Sequence, residues 1–239
     1  MPVYNAPLLK IDPKETRRYA GLMRAKNFDE TRIEDACQDA RLLARPQGIW
    51  QLYDYDCEKQ TVLSDPPFRI EGTKIGRHLA GCDKVILLAV TVGDDIEGMV
   101  TKRFADGEYT SSVLLDAAAT TAVEQLADGL ERAIKPKVAA QGYSMRWRFS
   151  PGYGDWPLEQ QPELIRLTHC ETIGISLSEA KMLVPRKSVT AIIGLYKEEK
   201  TTSPRENKHD AKGCAACSKH DCPARKQEEA AAAESEQKA

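Results

Sequence analysis

An α+β fold is predicted by three observations. Lys84 to Val92 is a continuous apolar run rich in Val and Ile, which suggests a strand buried on both faces. Ser111 to Ile134 carries Leu115, Ala119, Ala122, Leu126 and Leu130 at helical spacing, the apolar stripe of one long helix. The remaining strands and helices mix without strict alternation. The 239 residues suffice for one large domain, or for one domain plus a tail.

The elements follow in chain order. Asp12-Pro13-Lys14-Glu15 is a helix start, with a cap, a Pro in the first turn and a Glu three residues after the cap. The helix is expected to run to about Met23. A second helix follows Asp29, with Ile33, Ala36, Ala40 and Leu43 on one face, and Pro46 and Gly48 end it. Ile49 to Tyr55 and Thr61 to Leu63 have strand character around a polar turn. Arg69 to Leu79 is expected to form a short helix that leads into the Lys84 strand. Gly93 then turns the chain, and Asp94-Asp95 open a helix to about Phe104, their charge suiting a helix N-terminus. After the long helix comes an irregular segment, then a helix over Pro162 to Thr168 and a last strand over Ser188 to Tyr196. No internal repeat is visible.

Composition changes after Lys197. Lys, Glu, Ser, Asn and Ala dominate, and Gln227 to Ala239 is low-complexity Glu/Ala. The expected organisation is a domain over 1–197 and a polar, cysteine-bearing disordered tail over 198–239.

The irregular segment, Arg146 to Pro157, is the richest in chemistry. Its twelve residues hold two of the three tryptophans with two arginines, two glycines and two prolines. Pro and Gly fix an irregular path, aromatics offer flat faces, and arginine offers a planar fork for a carboxylate. Two readings are open: a pocket wall for a small ligand with a carboxylate and an aromatic or cationic part, or a structured connection whose tryptophans plug a core edge. Composition serves both equally. Asp116, Thr120 and Glu124 share one face of the long helix at i, i+4, i+8. Alone, they suggest a solvated polar face. His78 and His169 are isolated and are assigned no role.

Bulk charge narrows the function classes. Charged residues are 29% of the chain and the net charge is −2, so no basic excess suggests a nucleic-acid partner. The longest apolar run is far too short to span a membrane, and the N-terminus lacks a signal pattern, so a cytoplasmic location is expected. Cys37, Cys57, Cys82 and Cys170 are scattered and expected to be small buried hydrophobes. Cys214, Cys217 and Cys222 cluster as Cys-x-x-Cys-x4-Cys-Pro. Three thiolates at that spacing supply most of a soft site for zinc or an iron–sulfur cluster, and His209 or His220 could add a fourth ligand. A redox thiol pair, or a cysteine-rich tail without metal, fits the same spacing.

Three stretches together resemble one family. Arg148-Phe149-Ser150-Pro151-Gly152-Tyr153 is similar to the Arg-x-x-Pro-Gly-Tyr signature of the activation domain of cobalamin-dependent methionine synthase. The helix from Asp116 to Glu131, with Ala-Val-Glu124-Gln-Leu-Ala, resembles that domain's long helix. Ser178 to Thr190, with Met182, Pro185 and Ser188-Val189-Thr190, resembles its closing segment, although Leu177-Ser178-Glu179-Ala180 stands where the family has Leu-Thr-Glu-Ser.

The resemblance implies a C-shaped α+β module, with long helices around a mixed or antiparallel sheet, that binds S-adenosylmethionine. It would support reductive methylation of inactive cob(II)alamin in methionine biosynthesis. The domain would act in trans, on a separate methionine synthase or another corrinoid protein, with an electron from a protein such as flavodoxin or ferredoxin. By resemblance, Arg148 would pair with the ligand carboxylate and Glu124 would hold its ammonium. Ser150 and Gly152 would present backbone groups, and Tyr153 would pack on the adenosine or reach toward the corrinoid. Two rival readings are a non-catalytic S-adenosylmethionine-binding assembly module and an electron-transfer protein built on the cysteine tail.

Overall fold

The computed structural model describes residues 3–5 and 8–197. Two helices come first, α1 (Pro13–Tyr19) and α2 (Glu30–Leu43). Each is capped as its sequence predicts: Asp12 accepts from the Lys14 amide at 2.8 Å, and Asp29 from the Thr31 amide at 3.0 Å. Strands β1 (Gln47–Asp56), β2 (Thr61–Val62) and β3 (Phe68–Arg69) form a meander, followed by the short helix α3 (Thr73–His78). Strand β4 (Lys84–Thr91) leads to α4 (Asp95–Ala105) and α5 (Tyr109–Ala139). The chain then forms β5 (Ser144–Met145), α6 (Gln161–Thr168), a hairpin of β6 (Ser176–Leu177) and β7 (Leu183–Val184), and β8 (Ser188–Tyr196).

One antiparallel sheet of order β3-β2-β1-β4-β8-β5 sits at the centre. Its middle strand β4 is covered on both sides. Ile86, Leu88 and Val90 point into a core built with α2 and α5, against residues such as Ile33, Leu115, Ala122 and Leu126. Val85 and Leu87 point the other way, toward Ile75, Leu79, Phe149, Trp156 and Leu164. Ala89 faces a third cluster with Ile49, Cys170, Ile173 and Ile175. A strand with apolar residues in both registers has no face to offer water, so helices or irregular chain must cover each side. Among the described residues no helix is long and apolar enough to cross a membrane.

Several boundaries differ from the sequence expectation for local reasons. Helix α1 stops at Tyr19, not Met23. Gly21 takes φ +72, and the amides of Gly21 and Leu22 close back on the carbonyls of Arg18 and Arg17. The expected helix over 69–79 splits into β3 and α3. Phe68 and Arg69 pair with β2, and Gly72 at φ +123 separates strand from helix. Helix α5 runs past Ile134 to Ala139 despite Pro136, and buried Val138 anchors its last turn to the core. The scattered cysteines divide: Cys37, Cys82 and Cys170 are buried, but Cys57 is exposed in the turn after β1.

Gly194 in β8 tests the packing of the outer layer. A Cβ there would stand 2.6 Å from Cys82 Sγ and 2.9 Å from Leu79 Cδ2. Gly194→Ala is expected to destabilise the fold by about 1–3 kcal/mol through overpacking, measurable as a lower urea midpoint. An unchanged midpoint would mean that Leu79 and Cys82 give way freely.

Candidate functional site

The site begins at an irregularity in the sheet edge. Met145 pairs with Leu195, the Arg146 amide donates to Gly194 O at 2.9 Å, and Phe149 and Ile192 exchange hydrogen bonds of 2.9 and 2.8 Å. Four steps separate Met145 from Phe149, but three separate Leu195 from Ile192. The edge strand therefore carries one extra residue, a β-bulge, which re-aims the side chains after it. Met145 packs on the α5 side of the sheet, whereas Trp147 and Phe149 pack on the opposite side. Arg148, between those two aromatics, turns back to α5. In unbroken register, position 148 would oppose Ile192 and face the other layer.

On α5 the guanidinium meets three carboxylates. Nη2 donates to Glu124 at 2.6 Å, and Nη1 donates to Asp128 at 2.6 Å and to Glu131 at 2.5 Å. These acids are spaced i, i+4, i+7, so they line one face of the helix. The Arg148 side chain is largely covered, at 22% exposure. Burial opposes its charge, but the Glu131 charge and the bonds to Glu131 and Asp128 outweigh burial, and the Arg148 pKa is raised. One cation against three anions leaves a surplus of negative charge.

The polar face continues along the helix. Lys187, which enters β8, places Nζ 2.9 Å from both Asp116 Oδ1 and Thr120 Oγ1. Tyr19, at the end of α1, lies near Glu124: burial first, and then the Glu124 charge, push its hydroxyl pKa up. The seam of Asp116, Thr120, Glu124, Asp128 and Glu131 is thus gripped from outside by two cations on separate segments. It is not the fully solvated face that its spacing alone suggests.

The segment after Arg148 is a self-closing loop. The Ser150 carbonyl accepts from the Tyr153 amide at 3.1 Å, across Pro151 and Gly152. Gly152 has φ +86, the position a type II turn reserves for glycine. The Tyr153 carbonyl then accepts from Trp156 at 3.0 Å, and the Gly152 amide donates to Trp156 O at 2.9 Å. Asp155 bolts the loop to α3, accepting from the amides of Thr73 at 2.7 Å and Lys74 at 2.9 Å. Trp156 is buried and donates to Gln160 at 2.7 Å. His78, Trp147, Phe149 and Trp156 form a continuous aromatic row, with successive centroids 4.2, 5.3 and 6.2 Å apart.

The core-plug reading of the segment holds for its aromatic residues. Trp147, Phe149 and Trp156 plug the outer layer. Arg148 is directed to α5, and Tyr153 stands 67% exposed at the turn. Arg148 and Glu124 meet directly, while Ser150 and Gly152 shape the turn beside them. Asp128, Glu131, Tyr19 and Lys187 were not anticipated. Extending the Glu124 face by four and seven residues would have found the two acids, whereas Tyr19 and Lys187 carry no local signal. His78 Nε2 lies 2.8 Å from the Trp147 carbonyl, and His169 ends α6 in the left-handed region. Cys214, Cys217 and Cys222 lie outside the described residues. Among the described residues, no group of three or more His, Cys, Asp or Glu side chains is arranged to hold a metal.

No protein-family model matches the chain, and no curated protein matches it. Among solved structures, the crystal structure of the MetH reactivation domain bound to AdoHcy aligns with probability 1.00 and a TM-score of 0.53. The alignment covers 85% of this chain and 81% of that one, at 16% sequence identity. The chain thus has the α+β fold of that domain.

Asp155 gives the loop a pH signature. Desolvation raises its pKa, but the bonds from the Lys74 and Thr73 amides outweigh that effect, and the net shift is downward. Its stabilising contribution is full above the unfolded-state value of about 4 and is lost as pH falls through the lower folded value. The gap in thermal midpoint between wild type and Asp155→Asn is therefore expected to be constant near neutrality and to shrink below about pH 4. A gap that widens on acidification would contradict the capping role.

Proposed function

We propose that this protein binds S-adenosylmethionine and supports reductive methylation of cob(II)alamin on a separate methionine synthase or corrinoid methyltransferase. The observation that carries the reading is the direct Arg148–Glu124 pair, 2.6 Å apart, on a fold similar to a reactivation domain bound to AdoHcy. A carboxylate and a guanidinium side by side complement the two charged ends of an α-amino acid. The charge balance also fits. S-adenosylmethionine adds a sulfonium to its ammonium and carboxylate and is a net cation, and the Arg148 cluster is a net anion.

In this reading Glu124 takes the ligand ammonium and Arg148 the carboxylate. Ser150 and Gly152 keep the turn close to the ligand backbone. Tyr153, exposed at its tip, covers the adenosine or faces the corrinoid. The nucleophilic chemistry belongs to the partner's reduced corrinoid. This chain's residues bind the methyl donor and aim it, and no side chain need move a proton. The protein is then one component of a methyltransferase, dependent on its corrinoid partner and on a reductant such as flavodoxin or ferredoxin.

Calorimetric titration tests the reading. Wild-type protein is expected to bind S-adenosylmethionine saturably. Arg148→Ala should weaken binding about ten- to a hundredfold, the scale of a lost charge-assisted hydrogen-bond pair. Folded wild type that does not bind would overturn it. Where binding is seen, a cob(II)alamin methylation assay with partner and reductant distinguishes a working component from a passive binder.

A further inference from the structure

Arg148 gives three of its five N–H donors to carboxylates of α5, so a ligand carboxylate must share the guanidinium with them. Its two terminal nitrogens, however, are committed differently. Nη1 is shared by Asp128 and Glu131, at 2.6 and 2.5 Å, and Nη2 contacts Glu124 alone, at 2.6 Å. Glu124 is the residue proposed to take the ligand ammonium. Asp128 and Glu131 lie one and two turns further along α5, and in that reading they add negative charge but contact neither end of the ligand.

We infer that Asp128 and Glu131 are positioning residues that hold Arg148 by Nη1, so that ligand entry exchanges only the Nη2–Glu124 pair. The ammonium takes Glu124, and the freed Nη2 takes the carboxylate. One internal ion pair is replaced by two pairs to the ligand, and the guanidinium plane does not have to be found anew. Three features support this division of labour. Rigid orientation of a long side chain otherwise costs rotamer entropy. The bulge between Met145 and Phe149 already aims residue 148 at α5, so the two acids complete a fork whose root is fixed by the sheet. The surplus negative charge makes the cluster attractive to a cationic ligand whether or not the exchange has occurred. The inference rests on the S-adenosylmethionine reading above.

The test is a thermodynamic cycle on the full chain, read by calorimetry with S-adenosylmethionine. Asp128→Asn/Glu131→Gln is made in the wild-type and Arg148→Ala backgrounds. Thermal denaturation confirms that each variant folds, and Glu131→Gln alone serves if the double substitution does not. The pair of substitutions is expected to weaken binding about tenfold in the wild-type background, as for other groups that orient a ligand-contacting residue. In the Arg148→Ala background the effect should fall below about twofold, because the two acids act through Arg148. Equal losses in both backgrounds would mean that they act by general charge. Unchanged or tighter binding would mean that they compete with the ligand for Arg148. Either result overturns the inference and leaves the ligand reading standing. No binding by wild type would instead remove the ligand reading itself.

Discussion

Strand β4 is buried on both faces, and the layers of the fold are arranged to cover it. Val85 through Val90 offers no polar side chain in either register, so water must be excluded from both faces. On one face α2 and α5 provide the cover. On the other, the chain has little helix to spend, and α3 and α6 are both short. The aromatic row of His78, Trp147, Phe149 and Trp156 fills the remaining area. The segment that carries Arg148 is therefore also part of the wall that keeps β4 dry.

This double duty shapes the site. A regular edge strand beside β8 would alternate its side chains and send position 148 to the aromatic layer. The extra residue between Met145 and Phe149 allows Trp147 and Phe149 to enter the layer together with Arg148 aimed the other way. The loop that follows is stiffened by its own turns and by Asp155 on α3. These supports fix where Arg148 points, since a small angular error at the backbone becomes a large displacement at the guanidinium.

Helix α5 serves both the core and the charged cluster. Its apolar stripe supports the sheet, and its polar stripe runs from Asp116 to Glu131 over about 22 Å at 1.5 Å per residue. Two cations from outside the helix dock on that stripe, Lys187 near its start and Arg148 near its end. The result is a net-negative charge cluster around Arg148, with Tyr19 of α1 beside it.

Much of this was legible in the chain itself, because it rests on local rules. The caps at Asp12 and Asp29, the two-sided strand at β4, the stripe of α5 and the last strand at Ser188–Tyr196 follow from periodicity and turn chemistry, which act over a few residues. The motif around Arg148 and Glu124 was visible as residue types. Their junction was not. Whether Trp147 or Arg148 faces the core depends on one bulged residue at a sheet edge, and that depends on pairing with Ile192 more than forty positions later. The carboxylates at Asp128 and Glu131 gain meaning only when the bulge turns a cation toward them, and Lys187 and Tyr19 arrive from distant segments. Local periodicity and turn chemistry account for most of the elements and for the residue types they carry. Which charges meet depends on the folded arrangement, because the energy of an ion pair depends on distance in space and not along the chain.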